Sequence, residues 1–284
     1  MKIGVESPLH EHFGVKVGGL DISQPISADD AAEIRRLLDQ HHFLLFRGRR
    51  ILTPAEQVQF CRSFGTLELL PILPIPGFPE VFKTTNTPDG GGLPNAGTEG
   101  WHNDGLYRDE PTDMVAYHLV QFGEVCGSTL IANCARAYET LPERVRDKLE
   151  NAMAVHGKQA EPCTVHRLVR RHPRTGKKGL YGAVAMAADT PGTLIVVGWP
   201  KAELEETFAF LDQHLRRPDI MYRHQWQLGD LLFTDNAAVM HLAERTDPKY
   251  PRVMHRVSVA GALDYSVQHS FHNPMKRPAV KAPS

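Results

Sequence analysis

No stretch of this chain approaches eighteen consecutive apolar residues, so no segment reads as a membrane-spanning helix. The opening Met1-Lys2-Ile3-Gly4-Val5-Glu6 lacks the apolar core of a signal peptide. Cysteine is scarce: Cys61, Cys126, Cys134 and Cys163 are scattered, with no paired zinc spacing. The expectation is a reduced, cytoplasmic protein. An excess of either charge is missing too. Lys plus Arg is 32 and Asp plus Glu is 33, a net charge of -1. That excludes a nucleic-acid binder held mainly by phosphate contacts, though not a local cationic pocket. Repeats, heptads and low-complexity tracts are also absent. What remains is a chain of 284 residues, 42% of them hydrophobic, enough for a sizeable core. It is expected to form a single domain over residues 1–284, and a homo-oligomer is compatible with its composition.

Ala31 to Gln40 reads as a helix with Ile34, Leu37 and Leu38 on one stripe. A short buried strand, Phe43-Leu44-Leu45-Phe46, follows it. Thr53-Pro54-Ala55-Glu56 then opens a helix: Thr53 caps, Pro54 takes the first position and Glu56 completes a capping box. Four prolines between Leu69 and Pro79 exclude a helix or a central strand. Residues 69–100 and 155–177 therefore read as irregular walls or lids of a pocket. Thr140-Leu141-Pro142-Glu143 reads as a second capped helix start, and Lys201 to Leu215 as a helix buried through Leu204, Phe208, Leu211 and Leu215. Strands are expected at 114–119, 129–132, 180–184, 194–197, 221–226, 230–234 and 252–260. The chain after residue 270, with prolines at 274, 278 and 283, is expected to be loose. Helices mainly early and many short strands later point to a mostly antiparallel sheet or barrel with flanking helices.

Chemistry concentrates at Gly100-Trp101-His102-Asn103-Asp104-Gly105. On an extended chain, residues i and i+2 face the same side, so His102 and Asp104 can share one ion. A third ligand must come from elsewhere, and His241 is the best candidate. Two histidines and a carboxylate with open positions opposite make the facial triad of non-haem Fe(II) oxygenases. The strand from Arg252 to Ala260 aims Arg252, Met254 and Arg256 to one side. Guanidinium groups near a metal suit carboxylates. His255 points the other way and reads as packing.

Several further pieces occur in order. They are Leu44-Leu45-Phe46-Arg47-Gly48, Phe64-Gly65, Trp101-His102-Asn103-Asp104, Gly127-Ser128-Thr129-Leu130 and Ala137-Tyr138-Glu139. Then come His172-Pro173-Arg174-Thr175-Gly176-Lys177, Gly229-Asp230-Leu231-Leu232-Phe233-Thr234-Asp235-Asn236 with His241, and Arg252-Val253-Met254-His255-Arg256. With these, the chain resembles the taurine dioxygenase/TfdA family of Fe(II)- and 2-oxoglutarate-dependent oxygenases, over roughly residues 15 to 262. The resemblance implies a double-stranded β-helix core, a jelly-roll of cupin-like type. It implies that His102, Asp104 and His241 ligate iron. Arg252 and Thr129 would hold the far carboxylate of 2-oxoglutarate. Arg256 would lie at the chelating end or against an anionic group of the substrate. Trp101 would orient the ligand strand, and Asn236 would add a supporting hydrogen bond. The implied cofactors are Fe(II), 2-oxoglutarate as cosubstrate and dioxygen, with C–H hydroxylation coupled to succinate and CO2.

The substrate is less sharply defined. Against the taurine-specific pattern, Leu70 stands where a histidine is expected and Thr98 where an asparagine is. Taurine is therefore not expected. Leu70, Thr98, Tyr107 and Arg256 are the candidate pocket residues, suited to a small, carboxylate-bearing organic acid or an amino-acid derivative. Oxidative desaturation, including of isonitrile-type substrates, shares the same oxidant. A metal-dependent hydrolase or isomerase and a non-catalytic binding protein are the alternatives from other classes.

Overall fold

The computed structural model describes all residues except 1–2, 49, 70–73, 88–92, 95–99, 107, 110, 157–163, 185–194 and 262–284. Five helices are present among the described residues: α1 (Ala28–His41), α2 (Pro54–Arg62), α3 (Cys134–Glu139), α4 (Glu143–Glu150) and α5 (Lys201–Leu215). Nine strands organise the site: β1 (Phe43–Arg47), β2 (Phe78–Thr85), β3 (Trp101–His102), β4 (Thr112–Phe122), β5 (Thr129–Asn133), β6 (Met221–His224), β7 (Asp230–Asp235), β8 (Val239–Ala243) and β9 (Arg252–Ala260). The larger sheet runs Gly4–Pro8, Val15–Gly18, β1, β7, β4, β9, β2, Pro74–Ile75. The smaller runs Ala183–Val184, β3, β8, β5, β6. Two largely antiparallel sheets face each other, as in a jelly-roll.

Strand alternation sorts the side chains into three layers. Phe43, Leu45, Leu119, Ile131, Leu232, Val239 and Met254 meet between the sheets. Leu44, Phe46, Phe233 and Val257 face outward from the larger sheet onto α1 and α2, through Ile34, Leu38, Val58 and Phe60. Trp101, Leu130, Met240 and Leu242 face outward from the smaller sheet onto α3, α4 and α5. Leu204, Phe208, Leu211 and Leu215 are all buried there, as their spacing predicts. The predicted capping box of α2 is formed, with Thr53 accepting from the Glu56 backbone and Glu56 accepting from that of Thr53.

Three expectations need correction. α4 has no side-chain cap; the Thr140 hydroxyl instead donates to Arg136 O at the end of α3, whose start is capped by Asn133. Six residues are too short for α3 to show a helical period. The stretch 69–100 is not all irregular, because β2 lies within it and pairs with β9 through Phe82–Thr85. Pro79 is outside that pairing, so no ladder bond is lost to it. The stretch 155–177 likewise contains the strands Thr164–Arg167 and Val169–Arg171 and the end of Met153–His156. Cys163 and the chain after residue 270 lie outside the described residues. No described helix is long and apolar enough to cross a membrane.

The segment after Val169–Arg171 is tied to the larger sheet by charge. Arg174 Nε donates to Asp39 (2.6 Å), while its two terminal nitrogens reach Asp113 and Asp235. His172 Nε2 lies 2.8 Å from the same Asp235. Asp113 and Asp235 are both buried. Removing their cation strands two carboxylates, so Arg174→Met should cost about 3–5 kcal/mol, read from the urea midpoint.

A second prediction concerns acid. Burial pushes His42, His156 and His166 down to about 4, 3 and 4. In the unfolded chain each titrates near 6.5, so the unfolded state binds more protons as pH falls. Their contribution is complete above about pH 6.5 and is lost toward pH 4. Each site should remove up to about 2 kcal/mol at pH 5 relative to pH 7.5, and His156→Gln should flatten that slope.

Candidate metal centre and anion pocket

β3 is only two residues long, yet it sets the first candidate ligand. Trp101 points outward and is fully buried, which leaves His102 pointing inward. His102 is paired in register with His241 on β8, and their ring centroids are 4.2 Å apart. Asp104 arrives by a different route from the extended alternation expected. The strand ends at His102, and the chain turns at Asp104-Gly105-Leu106. Gly105 has φ +74°, and a Cβ there would sit 2.4 Å from Thr112 Oγ1. Only glycine fits that turn. The turn brings Asp104 Oδ1 within 3.9 Å of His102 Nε2. One ligand atom from each of His102, Asp104 and His241 lies within 4.8 Å of the others.

Two asparagines lock the turn. Asn236 Oδ1 accepts from the Asp104 N–H (2.8 Å), and Asn236 Nδ2 donates to Asp104 O and Thr112 O (2.9 Å each). Asn103 Nδ2 donates to Asn236 O and Val239 O, and Asn103 Oδ1 accepts from the Gly182 N–H. The expected support from Asn236 is therefore present, while Asn103 was missed. Its only signal in the sequence was its place between two ligands.

The protonation states suit a divalent ion. Burial, then the neighbouring His102, pushes His241 down to about 3, so its ring is neutral and keeps a lone pair. Burial alone would raise the Asp104 carboxyl; Arg256, His241, His102 and the Tyr117 hydroxyl reverse this and hold it well below the usual range. Arg256 Nη1 donates to Asp104 Oδ1 (2.8 Å), and Tyr117 donates to Oδ2 (2.5 Å). The neutral His241 imidazole, a second histidine and one carboxylate fit Fe(II).

The second charged feature is Arg252, only 4% exposed. Its backbone N–H donates to Asn86 Oδ1 (2.7 Å), and its guanidinium carbon lies 6.0 Å from the Trp226 ring centre. Trp226 Nε1 donates to Thr129 Oγ1 (2.9 Å). Among the described residues no carboxylate pairs with Arg252, and its Nε has no hydrogen-bond partner. A buried guanidinium without an anion is costly. Arg252, Trp226 and Thr129 thus follow one another in contact, with a guanidinium and a hydroxyl whose chemistry suits a carboxylate. Trp226 and Asn86 carry no sequence signal, because only the fold brings them to Arg252. Of the candidate substrate residues, Leu70, Thr98 and Tyr107 lie outside the described residues, and Arg256 stands beside Asp104. His255 faces away from the site, as expected, on the side of His118.

Residues 6–258 match the family model described as taurine catabolism dioxygenase TauD, TfdA family. The chain belongs to the TauD/TfdA family. It is an Fe(II)- and 2-oxoglutarate-dependent dioxygenase with a jelly-roll core. Among curated relatives, the dioxygenase is 27% identical to the alpha-ketoglutarate-dependent 2,4-dichlorophenoxyacetate dioxygenase of Cupriavidus pinatubonensis, covering 89% of this chain and 96% of that one. It is 28% identical to pentalenolactone F synthase of Streptomyces avermitilis, with coverage of 86% and 90%. Among solved structures, a taurine dioxygenase from Burkholderia xenovorans superposes with a TM-score of 0.77 at 30% identity, covering 92% of each chain. AAD-2, solved with Mn(II) and N-oxalylglycine, superposes at 0.75 with 25% identity, covering 93% of this dioxygenase and 99% of that chain.

Asn236→Ala in this dioxygenase should lose three side-chain hydrogen bonds and leave the Asp104 N–H buried without a partner. The expected cost is about 2–4 kcal/mol in urea unfolding, with weaker Fe(II) binding in isothermal titration.

Proposed function

We propose that this dioxygenase hydroxylates an unactivated C–H bond of a small organic acid or amino-acid-derived substrate, as one oxygenase unit spanning residues 1–284. The observation that carries the reading is the pair of features on the inner face of β9. Arg252 is buried with no carboxylate partner among the described residues, and Arg256 sits four residues on, against Asp104 of the triad. In this reading His102, Asp104 and His241 hold the iron. Iron, 2-oxoglutarate and dioxygen together supply an oxidant for a C–H bond, and the cosubstrate leaves as succinate and CO2.

The chain's own residues do the positioning. Arg252 takes the far carboxylate of the cosubstrate. The Thr129 oxygen already accepts from Trp226, so its own proton is left to donate to that carboxylate. Arg256 keeps Asp104 ionised and places positive charge at the metal end, beside the chelating end of the cosubstrate or an acid group on the substrate. Leu119, Ile131, Leu232 and Met254 pack between the sheets and exclude water from that space. The curated relatives act, by name, on targets as different as 2,4-dichlorophenoxyacetate and sulfate esters. Cosubstrate chemistry therefore carries over more readily than substrate identity. A phenoxyacetate is itself a small carboxylate, which agrees with an acid partner for Arg256. With Leu70 in place of the histidine of the taurine-specific pattern, taurine is not the proposed substrate.

Under anaerobic conditions, Fe(II) plus 2-oxoglutarate should produce a weak visible charge-transfer band that needs both additions. Arg252→Ala should weaken 2-oxoglutarate binding by about 100-fold, the loss expected when one partner of a buried charged pair is truncated. Unchanged binding in that variant would sink the carboxylate assignment. Succinate release across a library of small acids then tests the substrate class.

A further inference from the structure

Tyr117 lies on β4, in register with Arg256 on β9. Its ring faces the metal centre, with its centroid 5.3 Å from that of His241. The hydroxyl donates to Asp104 Oδ2 at 2.5 Å. A tyrosine hydroxyl carries its proton at neutral pH, and a carboxylate oxygen can only accept, so Tyr117 is the donor. The other oxygen, Oδ1, accepts from Arg256 and is the one 3.9 Å from His102 Nε2. The two carboxylate oxygens are therefore not equivalent. Both are held from the larger sheet, Oδ1 by Arg256 and Oδ2 by Tyr117, but Oδ1 is the one that faces the His102 imidazole.

A carboxylate can give a metal one oxygen or both. A facial triad is useful because it leaves the opposite face of the ion open. If Asp104 gave both oxygens, one position on that face would be taken. We propose that Tyr117 is a positioning residue that holds Oδ2 away, so that Asp104 offers the ion Oδ1 alone. The assignment rests on the reading that His102, Asp104 and His241 hold iron. It adds to that reading a reason for a tyrosine on the inner face of β4, where its neighbours two residues to either side, Val115 and Leu119, are apolar. Leu119 belongs to the apolar layer between the sheets, and a phenol at 117 is kept in such surroundings by the charge-assisted bond to Asp104.

The test compares wild type, Tyr117→Phe and Asp104→Ala by anaerobic Fe(II) titration, and then by the visible band formed with 2-oxoglutarate. Phenylalanine keeps the ring and removes only the donor. The expected result is about a 10-fold weaker Fe(II) Kd, together with a shifted band, in a Tyr117→Phe protein that melts within a few degrees of wild type. A role in packing alone would not move the band. An unchanged Kd and band in the folded variant would overturn the assignment by itself. Should the variant fold poorly, a crystal structure of the wild type with Zn(II) or Mn(II) decides. Oδ1-only ligation with Oδ2 on Tyr117 supports the proposal, and ligation through both oxygens overturns it. A wild type that binds no Fe(II), or Asp104→Ala binding as tightly as wild type, removes the triad reading and this proposal with it.

Discussion

The Asn236 carboxamide ties the turn bearing Asp104 to the barrel by both its oxygen and its nitrogen. It sits in the corner between β7 of the larger sheet and β8 of the smaller one, and its Nδ2 also reaches Thr112 O at the start of β4. Its backbone N–H is held by Asp113 O, and the preceding Asp235 is held by Arg174 and His172. The Asp104 carboxylate is thus fixed through hydrogen bonds that begin at the outer ionic cluster and end at the candidate metal centre. A ligand on a turn is precise only when its surroundings leave it one position. The two asparagines, which offer donors and acceptors together, meet that demand without adding charge.

Charge is distributed with the same economy. At one end Asp104 is balanced by Arg256, with His102 and the neutral His241 beside it. At the other end Arg252 is buried among Trp226, Thr129 and Cys126 with no carboxylate among the described residues. One end of the inner surface suits a cation and the other an anion. A dicarboxylate that chelates metal at one end and bears a free carboxylate at the other satisfies both requirements. In the proposed function, an anion at Arg252 would offset the cost of burying that guanidinium alone.

Much of this was legible from local pattern. The α2 capping box, the buried stripe of α5 and the inward set on β9 depend on residues a few positions apart, whose geometry follows from helical or extended periodicity. The pairing of His102 with Asp104 was also read locally, although a glycine turn, rather than strand alternation, brings the carboxylate round. Pattern failed where a short element or a contact decided the outcome. α3 is too short to show a period, and β2 was hidden behind a proline that falls outside its pairing with β9. Thr140, read as the start of one helix, caps the end of another.

The sequence by itself determined the reaction type that the chain can support: which residues can ligate a metal, which can grip a carboxylate, and in what order they occur. Those properties belong to side-chain chemistry and survive in an unfolded chain. Only the tertiary structure decided that Trp226 holds Thr129, that Asn103 and Asn236 lock the Asp104 turn, and that Tyr117 and Arg256 take different oxygens of one carboxylate. These partners are far apart in the chain, and no local period relates them. They meet because two sheets close face to face, and that closure depends on the whole hydrophobic core rather than on any one segment.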